Sequence, residues 1–183
     1  LSSVVDVRTN DGDMRHYHGS FTIGLLTSRM HFEGPIWKDR TSFIISARRS
    51  YFDLFLNPFL DDEAKGGYYL YDINAKLNHK FDDRNRLFLS FYNGKDQLMF
   101  KNSYDYNDFV EKEKQNIHWG STLGNIRWNH VWNSRLFNNT TLSYNRFRFR
   151  INNDATRQKE NFRSRYQSGI EDWGLISDFD YHP

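Results

Sequence analysis

The chain has 183 residues, enough for one domain with a core, and its 25 basic and 23 acidic side chains leave a formal net charge of +2. The net charge is close to zero and the basic residues are scattered along the chain, so there is no strong positive potential to attract nucleic acid. We therefore expect no nucleic-acid partner. The chain has no cysteine, which excludes disulfides and thiolate metal sites, and no apolar run approaches the roughly 18 residues of a membrane-spanning helix.

In the first half of the chain, alternating apolar and polar side chains predict β-strands. Residues 1–9 form a short β stretch, residues 19–34 form two strands with a bend near residues 27–28, and a further strand begins at Thr41. The clearest period of two lies in residues 69–78. One face there carries Tyr69, Tyr71, Ile73, Ala75 and Leu77, and the other carries Asp72, Asn74, Lys76 and Asn78. Such a strand needs one apolar environment and one that solvates charges.

The second half of the chain continues the same pattern. Further strands are predicted at residues 86–92, 117–132, 137–151 and 173–181. Eight strands therefore follow the opening stretch, and the predicted fold class is all-β.

The connections between these strands alternate in length. Short polar turns are predicted at residues 38–40, 82–86 and 133–135, and long excursions at residues 50–67, 93–115 and 152–168. Strands joined in this way form an up-and-down antiparallel sheet with short turns at one end and long loops at the other, which is typical of barrels in the bacterial outer membrane. The aromatic content of 17% fits a lipid-facing sheet with a polar lumen.

Two other interpretations fit part of this pattern. One is a soluble β-sandwich, secreted or on the cell surface, that binds carbohydrate through loop aromatics. The other is a small closed barrel, which requires a complete chain, whereas both ends of the sequence lie in mid-pattern and predict an internal segment. In such a segment, unpaired edge strands are expected near Phe21 and Phe179.

Six short motifs follow one another in the first half of the chain. They are LSSVVDVRT (1–9), HGSF (18–21), EGPI (33–36), KDRTSF (38–43), SARRSYFD (46–53) and YDINAKL (71–77). In this order they resemble the end of the plug and the first barrel hairpins of TonB-dependent outer-membrane receptors of the Bacteroidetes type. The resemblance is strongest over residues 1–95; beyond them it depends on the rhythm of the hairpins.

The resemblance implies a domain organisation and a function. Residues 1–9 would be the C-terminal strand of a plug domain, and residues 10–183 the N-terminal part of a β-barrel domain, about eight strands of a larger plugged transmembrane barrel. The implied function is energy-coupled uptake of a large ligand (an iron chelate, a cobalamin or a glycan) with no enzymatic activity and no cofactor. The implied partners are outer-membrane lipid, TonB through a preceding N-terminal part, a surface lipoprotein, and the imported small molecule or oligosaccharide.

Site residues follow from the same comparison. The resemblance implies that these residues face the lumen: Arg48, Asp72, Asn74, Lys76 and Asn78. Their strand neighbours would face lipid: Phe43, Ile45, Tyr71, Ile73, Ala75 and Leu77. In the outer loops, rings and a carboxylate of the kind that binds a sugar or a chelate are predicted to contact ligand: Tyr51, Phe52, Tyr104, Asp105 and Tyr106.

Two further motifs are interpreted without a catalytic or metal role. His16 and His18 have alternate-residue spacing but no third ligand, so we expect surface histidines and no metal. Arg146, Arg148 and Arg150 alternate with phenylalanines, which indicates a strand leaving the bilayer with its arginines toward the lumen or toward lipopolysaccharide phosphates.

Overall fold

A computed structural model describes residues 10–52, 64–106, 109–157 and 160–183, and nearly all of them lie in β-strands. The strands are β1 (His18–Ile23), β2 (Thr27–Trp37), β3 (Thr41–Ser50), β4 (Ala64–Lys80), β5 (Asn85–Tyr106), β6 (Phe109–Asn133), β7 (Leu136–Arg157) and β8 (Glu160–Tyr181). The predicted all-β class is confirmed. In the described part of the chain there is no helix of the length and apolar character needed to cross a membrane.

The strands form one sheet in which spatial order follows chain order. The order is β1-β2-β3-β4-β5-β6-β7-β8, and every neighbouring pair is antiparallel. This is the predicted up-and-down antiparallel topology. A sandwich needs two facing sheets, whereas the described residues form a single sheet.

Three tight turns at one end of the sheet lie where short connections were predicted. Between β2 and β3, Asp39 adopts a positive φ of 58°, which Asp tolerates better than most residues. Between β4 and β5, the backbone N–H of Arg84 donates to Asp82 Oδ1 at 2.7 Å. Between β6 and β7, Asn133 Oδ1 accepts from the backbone N–H of Arg135 at 2.9 Å and from that of Leu136, the first residue of β7, at 3.0 Å. In the last two turns, Asp82 and Asn133 thus bond to nearby backbone N–H groups, which is why Asp and Asn are favoured there.

Two of the three predicted long excursions are wrong, because the chain continues there as strand. Residues 93–106 belong to β5 and residues 109–115 to β6, strands of 22 and 25 residues. Residues 152–157 belong to β7 and residues 160–168 to β8, strands of 22 residues each. The hairpins remain paired to their tips, as at Tyr106 opposite Phe109. Where water meets both faces of a hairpin, no apolar alternation is required, and a polar strand then resembles a loop in sequence. Backbone pairing over the full length decides the structure.

The starts and bends of the first strands agree with the predictions in one case and differ in another. The third strand begins at Thr41 as predicted. The first bend comes earlier than residues 27–28: β1 ends at Ile23, and the N–H of Gly24 donates to the Thr27 carbonyl at 2.8 Å. The predicted opening stretch, residues 1–9, lies outside the described residues, and so do residues 53–63 of the first long excursion.

The two outer strands of the sheet are the predicted edges. Phe21 lies on β1 and Phe179 on β8, and both side chains are largely exposed. Among the described residues, β1 and β8 pair only with β2 and β7, so this part of the sheet is open. Open edges present unpaired N–H and C=O groups that can pair with further strands.

Candidate functional site

Each strand presents its side chains alternately to two faces of the sheet. We name the side of Ile73 and Leu77 the apolar face, and the side of Asp72 and Lys76 the polar face. Directly paired residues share a face, as Ile73 does with Asn93 of the next strand, so both faces extend across the whole sheet.

Apolar side chains form continuous rows across the apolar face. One row of directly opposite residues crosses seven strands at Gly34, Phe43, Leu77, Leu89, Ile126, Leu142 and Leu175. The adjacent row crosses all eight strands at Gly19, Phe32, Ile45, Ala75, Phe91, Gly124, Tyr144 and Trp173. We name these two rows the apolar band. Its side chains are open to the surroundings, with Ile126 47% and Leu175 71% exposed.

Apolar side chains beyond the band shift along the strands from one edge of the sheet to the other. The row next to the band, on the side away from the tight turns, is apolar in β1 to β4 and polar afterwards: Phe21, Met30, Ala47, Ile73, Asn93, Thr122, Arg146 and Glu171. On β8, Phe179 and Tyr181 instead extend the apolar surface toward the tight turns. Barrel strands tilt by about 35–45°. In such a barrel, an apolar zone perpendicular to the barrel axis would cross the rows of paired residues obliquely, as the apolar side chains do in this sheet.

The polar face of β3 to β5 is covered near the tight turns. Ser42 and Asn78 are fully buried. Arg86 Nε donates to Asn78 Oδ1 at 2.8 Å, and the hydroxyl of Ser42 donates to the carbonyl of Asp11 at 2.8 Å. The cover is the segment of residues 10–13, which lies on this face before the chain reaches β1.

An ion pair and a glycine hold that segment in place. Lys76 Nζ lies 2.5 Å from Asp11 Oδ1 and 3.2 Å from the carbonyl oxygen of Asn10, and the lysine side chain is only 9% exposed. Gly12 has a φ of 82°, and a Cβ there would lie 3.0 Å from the Phe43 carbonyl oxygen, so only glycine fits without strain. The chain therefore enters the sheet from the polar face.

The distribution of buried and exposed side chains is the inverse of that in a water-soluble domain. Among the described residues, only two large apolar side chains are buried, Ile44 and Phe88, whereas five polar ones are: Thr41, Ser42, Ser50, Asn78 and Asn138. Large apolar side chains lie exposed along the whole apolar band. Contiguous exposed apolar surface of this extent marks an interaction surface, for a membrane or for another protein.

Phe88 is the centre of a group of cations on the polar face. It is 4% exposed, and its ring centroid lies 4.2 Å from Arg127 Cζ, 5.1 Å from Arg86 Cζ and 5.8 Å from Lys76 Nζ. A cation above an aromatic ring is attracted by the negative face of the ring. The spacing of Arg86 and Phe88 on one strand face was the available sequence signal, but Arg127 joins them only through the β5–β6 register.

The five residues predicted to face a lumen lie together on the polar face. Arg48 is paired with Asp72, with Nη2 2.6 Å from Oδ2, and Asn74 follows on the same side. Lys76 and Asn78 contact the covering segment and its neighbours as described above. The period of two in β4 therefore separated the faces correctly.

The structure does not bring the five residues predicted to bind ligand together in one site. The Tyr51 hydroxyl lies 2.5 Å from the carbonyl oxygen of Gly24, so this ring closes the end of the β1–β2 hairpin. Phe52 lies 5.9 Å from the Tyr68 ring. Tyr104 is 40% exposed. It lies with Asp105 and Tyr106 at the C-terminal end of β5, and not in a loop as predicted. The side chains of those last two residues lie outside the description, and the ligand role of all five stays a prediction.

The two alternate histidines converge on a carboxylate. His18 Nε2 lies 3.0 Å from Asp13 Oδ2 and His16 Nδ1 3.6 Å from it. Backbone donation from Arg15 at 2.7 Å, then the His18 contact and the N–H of His16, holds the pKa of Asp13 well below its usual range. In the described part of the chain, no group of three or more His, Cys, Asp or Glu is arranged to hold a metal ion.

This turn is expected to loosen only in strong acid. The pKa of Asp13 is lower in the folded chain than its ordinary value of about 3.9, so its stabilisation is complete above about pH 4 and is lost as the pH falls through the folded pKa. The carboxyl carbon of Asp13 should still report a carboxylate at about pH 3 in an NMR titration. In Asp13→Asn, the acid-dependent loss of amide protection at Arg15 and His16 should disappear. An ordinary titration of Asp13 would contradict the assigned hydrogen bonds.

Fold and surface together define a class of structure: an all-β chain in one up-and-down antiparallel sheet, with an exposed apolar band on one face and a buried polar network on the other. Comparison with protein-family models, with curated proteins and with solved structures yields no match.

Proposed function

We propose that this chain forms part of the wall of a β-barrel in the bacterial outer membrane, in a TonB-dependent receptor of the Bacteroidetes type. The observation that carries the proposal is the inverted burial, with exposed apolar rows on one face and, on the other, fully buried polar side chains at Ser42, Ser50 and Asn78. An outer-membrane barrel has an apolar outer band and a polar interior. The apolar band then meets lipid, and the polar face meets the lumen.

The covering segment supports a plugged barrel. Residues 10–13 approach the sheet from the polar face, held by the Lys76–Asp11 ion pair and by the bond from Ser42 to the Asp11 carbonyl. If the polar face is the lumen, residues 10–13 lie inside the barrel. That is where the end of a plug domain would join the wall, and in this proposal residues 1–9 are that end.

The open edges and the strand lengths support a large barrel with projecting hairpins. Further strands of the same barrel would pair with β1 and β8 and remove both edges. A tilted strand crosses a bilayer in about 9–11 residues, whereas β5 to β8 have 22 to 25 residues each. More than half of each hairpin then projects beyond the apolar band, where a ligand or a surface lipoprotein can bind.

The proposed mechanism is binding and gating. The projecting hairpins, with Tyr104 on the far part of β5, capture a ligand too large for passive pores, such as an iron chelate, a cobalamin or a glycan. TonB, acting on the part of the protein that precedes this chain, displaces the plug and opens the lumen. The wall residues Arg48, Asp72 and Asn74 then line the wet path.

Single cysteines test the membrane assignment, because the chain has none of its own. In the native polypeptide, cysteines at Ile73 and Ile126 should carry a fluorophore that brominated lipid quenches and should react slowly with a water-soluble maleimide. Cysteines at the adjacent Asn74 and Asn125 should show no lipid quenching. Equal behaviour at the two faces would reject the membrane wall.

Energy coupling is tested by growth. A strain without the gene should lose growth on one of three supplies given singly (ferric chelates, cobalamin or oligosaccharides), and a strain without TonB should lose the same growth. Retained uptake without TonB would contradict the assignment to TonB-dependent receptors but not the assignment to a barrel wall.

Loss of the ion pair that holds the covering segment should free it. Lys76→Gln is expected to raise hydrogen exchange of residues 10–13 about tenfold or more, because breaking a charged hydrogen bond to Asp11 removes on the order of 1.5–3 kcal/mol of local stability. Lys80→Gln is the matched control, since its pair with Asp83 is exposed. Equal exchange in the two variants would show that Lys76 does not hold the segment.

A further inference from the structure

Four cations lie together on the apolar face, just beyond the apolar band. Arg146 follows Tyr144 of the band on β7, Arg148 and Arg150 continue on the same face, and Lys95 of β5 lies across Gly120 from Arg148. They border a cavity of about 380 Å³ that His118 also lines. We name this group the cation cluster.

The charges of the cation cluster are not neutralised within the described part of the chain. Arg146, Arg148 and Lys95 have no hydrogen bond or ion pair with another described residue, and Arg150 donates to the neutral Gln167, Nη2 to Oε1 at 2.9 Å. Glu171, opposite Arg146, accepts a hydrogen bond from the Tyr144 hydroxyl at 3.1 Å, so this one carboxylate offsets part of the charge of four cations. The three arginines and Lys95 around one cavity give the site an excess of positive charge that an anion would relieve. Burial, then Lys95 and Arg150, lowers the pKa of His118, which favours its neutral form there.

Two glycines lie beside Arg148, and one of them, Gly120, lines the cavity. Gly120 lies between Lys95 and Arg148, and Gly169 lies opposite Arg148 on β8. A Cβ at either position would lie 2.6 Å from a backbone carbonyl oxygen, of Gly94 and Phe147 respectively, so neither position accepts a side chain without movement. The cations therefore surround a hollow in which a phosphate-sized group can approach the sheet.

We propose that the cation cluster binds the phosphate of an anionic lipid headgroup in the outer leaflet, with the acyl chains of that lipid along the apolar band. The assignment of the phosphate to a lipid rests on the proposed membrane function, whereas the phosphate site itself rests on the cation cluster alone. Arginine suits this role because its planar guanidinium donates two parallel hydrogen bonds to phosphate oxygens. Tyr144 and Trp173, with rings 4.7 Å apart, lie where aromatic side chains meet headgroups.

The test compares two double variants of the native polypeptide purified in a neutral detergent. Arg146→Gln with Arg148→Gln removes two unpaired cations of the cluster. Arg163→Gln with Arg165→Gln is the matched control: these arginines lie on the same face farther along β8 and have partners, Asp154 at 2.8 Å and Asn152 at 3.2 Å. Both doubles change the net charge equally, so a difference between them reports position and not charge.

The probes are mixed micelles containing phosphatidic acid, the same micelles with phosphatidylcholine alone, and inorganic phosphate. Wild type and the Arg163/Arg165 control should bind the phosphatidic acid micelles equally, and the Arg146/Arg148 variant should bind them about tenfold or more weakly. Arg146→Lys with Arg148→Lys should recover part of the affinity, which a misfolded variant would not. Unchanged binding in the Arg146/Arg148 variant would overturn the site.

The remaining outcomes separate the source of the phosphate from the membrane assignment. If inorganic phosphate displaces the phosphatidic acid micelles at the same concentration as the lipid itself, the assignment of the bound phosphate to a lipid is overturned. If the cysteine at Ile126 shows no lipid quenching while the Arg146/Arg148 variant still loses phosphate binding, the membrane function fails and the anion site stands.

Discussion

Ile126→Arg is expected to lower the free energy of unfolding in a lipid bilayer by about 2–4 kcal/mol. Ile126 lies in the middle of the apolar band, between Leu89 and Leu142 in the same row, and its side chain is exposed. An arginine there is surrounded by hydrocarbon if the proposed function is correct, and no carboxylate lies in the row to pair with it. Urea unfolding of the native polypeptide in phosphatidylcholine vesicles, followed by tryptophan fluorescence, measures the effect.

Asn125→Arg is the matched control for this prediction. Asn125 is the preceding residue of β6, lies on the polar face and is exposed. The same charge at a wetted position should change the free energy of unfolding by no more than about 0.5 kcal/mol. If the two variants lose equal stability, the apolar face does not meet lipid. If Ile126→Arg is instead tolerated in water without detergent, the alternative of a soluble surface protein returns.

Phe88→Ala should remove about 3–5 kcal/mol of stability, the effect expected for truncation of a buried phenylalanine. The ring is 4% exposed and lies under Arg127, Arg86 and Lys76, so its loss leaves a cavity and three cations without the attraction of the aromatic face. The same unfolding measurement in vesicles applies. A loss below about 1 kcal/mol would show that the cations rearrange around the cavity.

Phe88→Leu separates the apolar volume from the aromatic face. Leucine retains most of the buried bulk but has no π-system, so we expect a loss of about 1–2 kcal/mol from the cation–π contacts alone. The loss should shrink at high salt less than that of an exposed ion pair such as Lys80 with Asp83, because the contacts are buried. Equal effects of alanine and leucine would assign all of the stabilisation to the cations and none to the cavity.

Sequence pattern was sufficient where one strand face is apolar and the other is polar. In β4, the alternation of Ile73, Asn74, Ala75 and Lys76 separated the two faces because each face needs a different solvent. The tight turns were equally legible, since Asp82 and Asn133 close them with bonds to nearby backbone groups. These signals are local, and so a single sequence contains them.

Sequence pattern failed where water meets both faces. In the outer parts of β5 to β8, residues such as Lys101 and Lys114 face each other across a ladder, and no alternation distinguishes such a strand from a loop. The ligand-site prediction suffered from the same cause: Tyr104 and its neighbours were assigned to a loop but lie on a strand. Whether they bind ligand is still to be measured.

The strand faces, the tight turns and the all-β class are therefore predictable from the sequence alone, because each depends on neighbours within a few residues. Which residues of different strands share a row is known only from the folded sheet, since register is a property of paired strands. Register joins Leu77, Leu89, Ile126 and Leu142 into a band and brings Lys95 beside Arg148 across Gly120. Both the apolar surface and the cation cluster exist because backbone pairing aligns segments that are distant in the sequence.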